Sequence, residues 1–218
     1  GFSAPVVLDR AVSQKERAFL LAHDTDPFNR WEASRALARD GVIAMITKGA
    51  GPDDDWINGL EQVVFDVGLD PAYRALMLAW PTDAELAQTL FEQGIVPDPD
   101  AIHHACEQVA QHVAERWADR LPDLMAACTV TKPFAPDAQQ AGLRALGAAA
   151  LGLHSRLDGG AAAQAQFDTA DNMTLQLSAL TCLIRSGQET ISGTRVPPSQ
   201  RLYFPPRHGP AARWSPCR

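Results

Sequence analysis

SQKERAFLLAHDTDPFNRWEASRALARDGVIAMITKG, residues 13–49, decides the fold class. It opens on Ser13-Gln14-Lys15-Glu16, a capping box. There the serine hydroxyl and the glutamate carboxylate each accept from the other residue's backbone N–H, so a helix starts here. Phe19, Leu20 and Ala22 contribute to its apolar face. Pro27 stands near the first turn of a second helix, where its missing N–H would have had no partner. The apolar positions of that helix are Phe28, Trp31, Leu37, Ile43, Met45 and Ile46, with small alanines between them, and Gly49 closes it as a C-cap. Gly41 lies inside the run and is expected to weaken it or split it in two.

The same signals recur downstream. Asp54 to Val67 carries Trp56, Leu60, Val63, Val64 and Val67 at helical spacing, and PAYRALMLAW begins at Pro71 and stops before Pro81. Thr82 to Glu85 is a second capping box leading into Leu86, Leu90 and Phe91. A longer helix is expected from Pro99 to about Ala118, continued by LPDLMAACTV after a break near Pro122. Pro136 opens another, with Leu143, Leu146, Leu151 and Leu153, ending at Gly159-Gly160. The last runs from about Asp171 to Arg185 with Leu175, Leu177, Leu180 and Leu183. Connections this short and proline-marked suit antiparallel neighbours. No strict repeat period is present, so the expected fold is all-α, an irregular superhelix of antiparallel helix pairs. One short β-strand precedes it, because Val6 and Val7 beside Pro5 read as an edge strand within residues 2–9. No second strand is available to pair with it.

Composition agrees with the pattern. The chain has 218 residues, enough for a large domain with a real core. Its hydrophobic fraction is 46% and its aromatic fraction 7%, carried mostly by alanine and leucine, which favours closely packed helices over a β-sandwich. A net charge of −7 argues against nucleic-acid binding. Cys106, Cys128, Cys182 and Cys217 form no C-x-x-C pair and read as thiols in a reducing compartment, so the expected location is cytoplasmic. No apolar run is long enough to span a bilayer. GFSAPVVLDR has no signal-peptide pattern and no initiator methionine, so the chain is expected to begin within a longer protein.

After Ile191 the composition changes. Residues 192–218 hold six of the sixteen prolines and five arginines and no acidic residue, so a tail of +5 follows a body of 14 basic against 26 acidic residues. Proline at this density forbids helix and starves a sheet of donors, so the tail is expected to be disordered. It is either a basic, proline-rich arm for an acidic or SH3-like partner, or a stretch with no selected structure, such as one translated in a shifted frame.

The candidate chemistry centres on HHACEQVAQHVAE, residues 103–115, with three histidines, a cysteine and two glutamates. At about 1.5 Å rise per residue, His104 and His112 are roughly 12 Å apart along a helix. Zinc ligands lie about 2.0–2.3 Å from the metal, so those two cannot share an ion. His103 with Glu107 at i, i+4, or with Cys106 at i, i+3, supplies two ligands where a closed zinc site needs four. A helix face is the expected role. Asp53, Asp54 and Asp55 could bind a cation, but at a helix start they oppose the N-terminal dipole favourably. Trp31, Trp56, Trp80 and Trp117 lie on or beside apolar stripes. Asn172-Met173-Thr174 could be an interaction turn, but Asp171 or Asn172 capping a helix explains the stretch as well. Neither H-E-x-x-H, G-x-S-x-G, a P-loop nor G-x-G-x-x-G occurs. No catalytic, cofactor-binding or metal-ligating residue is assigned.

Three stretches, GFSAPVVLDR, HDTDPFNRWEASRALA and FDTADNMTLQLSAL, resemble the carboxy-terminal region of bacterial aminopeptidase N, the zinc-dependent alanyl aminopeptidase family. Asp26, Phe28, Arg30 and Trp31 match its D-x-F-x-R-W stretch, and Ala170, Asn172, Met173 and Thr174 its A-x-N-M-T stretch. The resemblance implies a remnant of a preceding β-domain in residues 1–12, an incomplete helical terminal domain in 13–191, and an unrelated tail in 192–218. It also implies that this helical domain covers the catalytic cavity of an exopeptidase removing N-terminal residues from peptides. The family's zinc motif and its G-x-M-E-N motif do not occur in the chain, so the zinc belongs to the parent and this chain alone is not expected to be an enzyme. Its expected partners are peptides only in the intact parent, no nucleic acid, no membrane, and further copies of itself through exposed apolar faces. The alternative is an independent helical scaffold that binds another protein.

Overall fold

Side-chain caps set most of the helix boundaries. The computed structural model describes residues 12–186, which form ten α-helices. The first three are α1 (Gln14–His23), α2 (Pro27–Lys48) and α3 (Asp54–Val64). Next come α4 (Pro71–Met77), α5 (Asp83–Glu92), α6 (Pro99–Arg116) and α7 (Leu121–Ala127). The chain continues through α8 (Ala138–His154), α9 (Ala161–Thr169) and α10 (Met173–Arg185). Ser13 with Glu16 and Thr82 with Glu85 form both capping boxes. Asp26, Asp53, Asp70, Asp98, Asp137 and Asn172 cap six further helices through their side-chain oxygens. Each satisfies backbone donors that a helix start leaves orphaned. Gly49 ends α2 at φ 64°, a left-handed conformation that glycine reaches without steric cost.

The fold is all-α, a superhelix in which each helix covers the apolar face of its neighbours. α1 lies against α2 and α3, and α2 also packs on α5 and α6. α8 collects α4, α6 and α7 on one part of its surface and α9 and α10 on another. One continuous core runs from Leu21 in α1 to Leu153 in α8, with Trp56, Leu60, Val113, Trp117 and Leu146 at its centre. A smaller cluster of Leu151, Ala163, Ala179, Cys182 and Leu183 ties α9 and α10 to α8.

Two arginines close helix ends. Arg30 in α2 donates to the Leu21 carbonyl of α1 at 2.9 Å. Buried Arg74 in α4 donates to the Val64 carbonyl of α3 at 2.7 Å. Each satisfies a carbonyl at a helix C-terminus and places positive charge where the dipole favours it. Trp56 donates its indole N–H to buried Ser34 at 3.0 Å, which ties α3 to α2.

The Thr82–Glu85 box carries a pH dependence. Hydrogen bonds from the Thr82 backbone and hydroxyl, with the Arg35 guanidinium at 2.5 Å, hold the Glu85 carboxyl below its ordinary range. A carboxylate depressed in the fold contributes stability that is complete above its unfolded pKa and is lost as pH falls through the folded value. Glu85→Gln keeps the acceptor but cannot ionise. Wild type should therefore exceed the variant in denaturant midpoint near neutral pH, and the gap should close towards about pH 3. A gap of equal size at both pH values would contradict this.

Several boundaries differ from the sequence expectation. Gly41 does not split α2, which runs unbroken from Pro27 to Lys48, because Val42 and Ile43 beside it are buried in the core. α3 ends at Val64, and Val67 is 90% exposed within a turn in which the Asp66 carboxylate accepts from the Gly68 N–H. α8 begins at Ala138 and not at Pro136, because Asp137 is its cap. The break before α7 falls at Trp117–Arg120, and Pro122 lies inside the first turn of α7. α9 was not anticipated as a helix at all. The expected strand in residues 2–9, the tail 192–218 and Cys217 lie outside the described residues.

Candidate functional site

The histidine-rich segment is α6, and the helix spreads its polar groups apart. His103 and His104 are exposed to solvent. His112 faces α3, where Nε2 lies 3.2 Å from Asp54 Oδ1. Glu107 receives two hydrogen bonds from the Arg156 guanidinium of the α8–α9 turn at 2.9 and 3.0 Å. The Cys106 thiol is pushed up to about 11 by burial, with Asp83 and Glu107 adding to the shift. A protonated thiol is a poor metal ligand. The residues of 103–115 thus serve packing and interhelical pairing in separate directions.

The Asp53–Asp55 run is divided in the same way. Asp53 caps α3 by accepting from the Trp56 N–H at 3.0 Å. Asp54 pairs with Arg116 at 3.0 Å as well as with His112. Arg116 also bonds Asn58, and Arg120 reaches Glu61 at 2.6 Å, so a polar ladder joins α3 to α6 and to the turn that follows it. Among the described residues no three His, Cys, Asp or Glu side chains converge in a way that could hold a metal ion. The described residues do not fit a zinc site.

Two grooves remain. One of about 500 Å³ lies beside the α7–α8 connection and the α9–α10 turn, lined by Met125, Lys132, Phe134, Arg144, Asn172 and Leu175. Its Arg144 is already occupied, stacked 4.5 Å from the Phe134 ring centre and donating to Gln140 and the Ala135 carbonyl at 3.0 Å. The other, about 1020 Å³, is an open trough along α1, α2 and α5. Its Arg17 pairs with Asp40 and its Arg35 with Glu85, beside Trp31. Lys132 and Phe134 were not singled out in the sequence because they lie in a connection without helical or motif spacing.

The residues that carried the sequence resemblance have structural work. Asp26 caps α2, Arg30 closes α1, Phe28 and Trp31 stack at 5.7 Å, and Asn172 caps α10. Of the tryptophans, Trp56 and Trp117 are core, while Trp31 and Trp80 are half-buried against it.

Fold and surface together define a domain of stacked helices. Residues 14–194 match the domain of unknown function DUF3458_C, described as ARM repeats, and the chain belongs to that family. Over 195 residues it is 34% identical to aminopeptidase N of Caulobacter vibrioides, a match covering 86% of this chain and 22% of that protein. Aminopeptidase N of Escherichia coli K12 is 29% identical over 125 residues, covering 55% of this chain and 14% of that one. The crystal structure of Legionella pneumophila aminopeptidase A in complex with aspartic acid superposes with a TM-score of 0.68 over 84% of this chain and 22% of its own, at 22% identity. That last likeness is one of fold. The chain is homologous to the helical domain of aminopeptidase N and spans about a fifth or less of these relatives' length.

Proposed function

We propose that this chain is the helical domain of an aminopeptidase N-type zinc exopeptidase, and that it is not catalytic by itself. The observation that carries the reading is the family match over residues 14–194, joined to 34% identity with a named aminopeptidase N. In this reading, zinc and the group that binds the substrate amine belong to other parts of such an enzyme. The helical domain restricts access of peptides to the catalytic cavity. Residues 1–12 belong with a β-domain, 13–191 with the helical domain, and 192–218 form a separate basic tail. The partners are peptides in the intact enzyme and further copies of the chain. The compartment is the cytoplasm, and among the described residues no helix is long and apolar enough to cross a membrane.

Purified chain should not hydrolyse an alanine anilide above the uncatalysed rate, with or without added zinc. Turnover that copurifies with the chain and is abolished by a chelator would sink the proposal.

A further inference from the structure

Among the described residues α10 presents an apolar row that no other helix covers. Its inner face is spoken for, since Ala179, Cys182 and Leu183 are buried against α8 and α9. On the outer side Met173 is 80%, Leu177 59% and Ile184 63% exposed. Half-buried Leu180 completes a 4-3-4 spacing along one edge, the spacing of a two-helix seam. The seven other large exposed apolar side chains among the described residues are scattered, each on a different element or loop.

The ends of the row carry opposite charge. Asp171 is exposed just before the helix, and Arg185 is its exposed last residue. We infer that this face pairs with the same face of a second copy, the two α10 helices running antiparallel about a two-fold axis. In that arrangement Met173 opposes Ile184, Leu177 opposes Leu180, and Asp171 falls within one residue of Arg185, each pairing made twice. A two-fold interface must be self-complementary in this way. A parallel pair would set Asp171 against Asp171 and Arg185 against Arg185. Antiparallel helices also oppose their macrodipoles favourably.

The inference deepens the self-association reading and rests on it. Two helices about 20 Å long fall short of the roughly 1,200 Å² of a stable interface, so the dimer is weak. Sedimentation velocity on the full chain from about 5 to about 200 µM should show monomer giving way to dimer, with a Kd of tens of µM. Leu177→Glu, at an exposed position, should weaken association more than about tenfold with an unchanged circular dichroism spectrum. Asp171→Arg and Arg185→Asp should each weaken it about fivefold, and their combination should restore it to within about twofold. A chain monomeric at every concentration, as when its own residues cover the row, overturns both the inference and self-association. A dimer indifferent to Leu177→Glu, or a double charge swap no better than the singles, leaves self-association standing and removes this interface.

Discussion

Replacing Trp117 by alanine is expected to lower stability by about 3–5 kcal/mol, the usual cost of truncating a large core aromatic. Trp117 is fully buried at the end of α6. Its ring meets Phe65 edge-on at 5.3 Å and 86°, and Phe65 in turn carries the Arg120 guanidinium 3.6 Å from its ring centre. Arg120 reaches Glu61 of α3, so one side chain supports both the apolar and the polar joint between α3 and the end of α6. Trp117→Phe should cost much less. Its indole N–H finds no hydrogen-bond partner among the described residues, so phenylalanine removes volume and a buried donor without breaking a bond. In a domain of this size about 1 kcal/mol moves Tm by roughly 2–4 °C. The alanine variant should therefore melt roughly 6–20 °C lower, followed by circular dichroism. A shift within about 2 °C of wild type would show that the α3–α6 joint does not depend on this ring.

The second large effect is a contrast between two glycines of α8. A Cβ at Gly142 would stand 2.8 Å from the backbone nitrogen of Ala72, in the first turn of α4. The obstacle is main chain, so one of the two helices must shift, and the cost lies near the top of the roughly 1–3 kcal/mol of overpacking. Alanine's better helix propensity returns about 1 kcal/mol, leaving a net loss of about 2. Gly152, ten residues along the same helix, has nothing within 4 Å of an added Cβ. Gly152→Ala should therefore stabilise by about 0.5–1 kcal/mol. Identical chemistry on one helix should thus give opposite signs in urea unfolding. Two changes of the same sign would mean that α4 and α8 do not approach as closely as described.

The features read most directly from sequence are those whose physics is local. Ser13 with Glu16, Thr82 with Glu85, proline in the first turns of α2, α4 and α6, and Gly49 each act within a few residues of themselves, and each marks a boundary where the structure has one. α9 escaped because AAAQAQFDT has no apolar stripe and buries only Ala163, so its helicity depends on contact with α10 and α8. The close approach at Gly142 was equally silent, since nothing near it in sequence says that Ala72 lies opposite. Helical spacing predicted that His104 and His112 stand apart, but not that Asp54 would meet His112 or Arg156 would meet Glu107. Those partners lie 58 and 49 residues away in sequence, and only the tertiary fold brings them in. The family stretches are legible as a resemblance, and in the two that lie among the described residues Asp26 and Asn172 cap helices, Arg30 closes one and Phe28 meets Trp31.

Zinc content tests the central claim most directly. The chain is proposed to supply a helical domain of a zinc exopeptidase and none of its metal ligands. After equilibrium dialysis against buffered zinc at about 1 µM free metal, atomic emission should find far less than one zinc per chain, with no change in Tm. One zinc per chain that raises Tm and survives gel filtration would contradict the account.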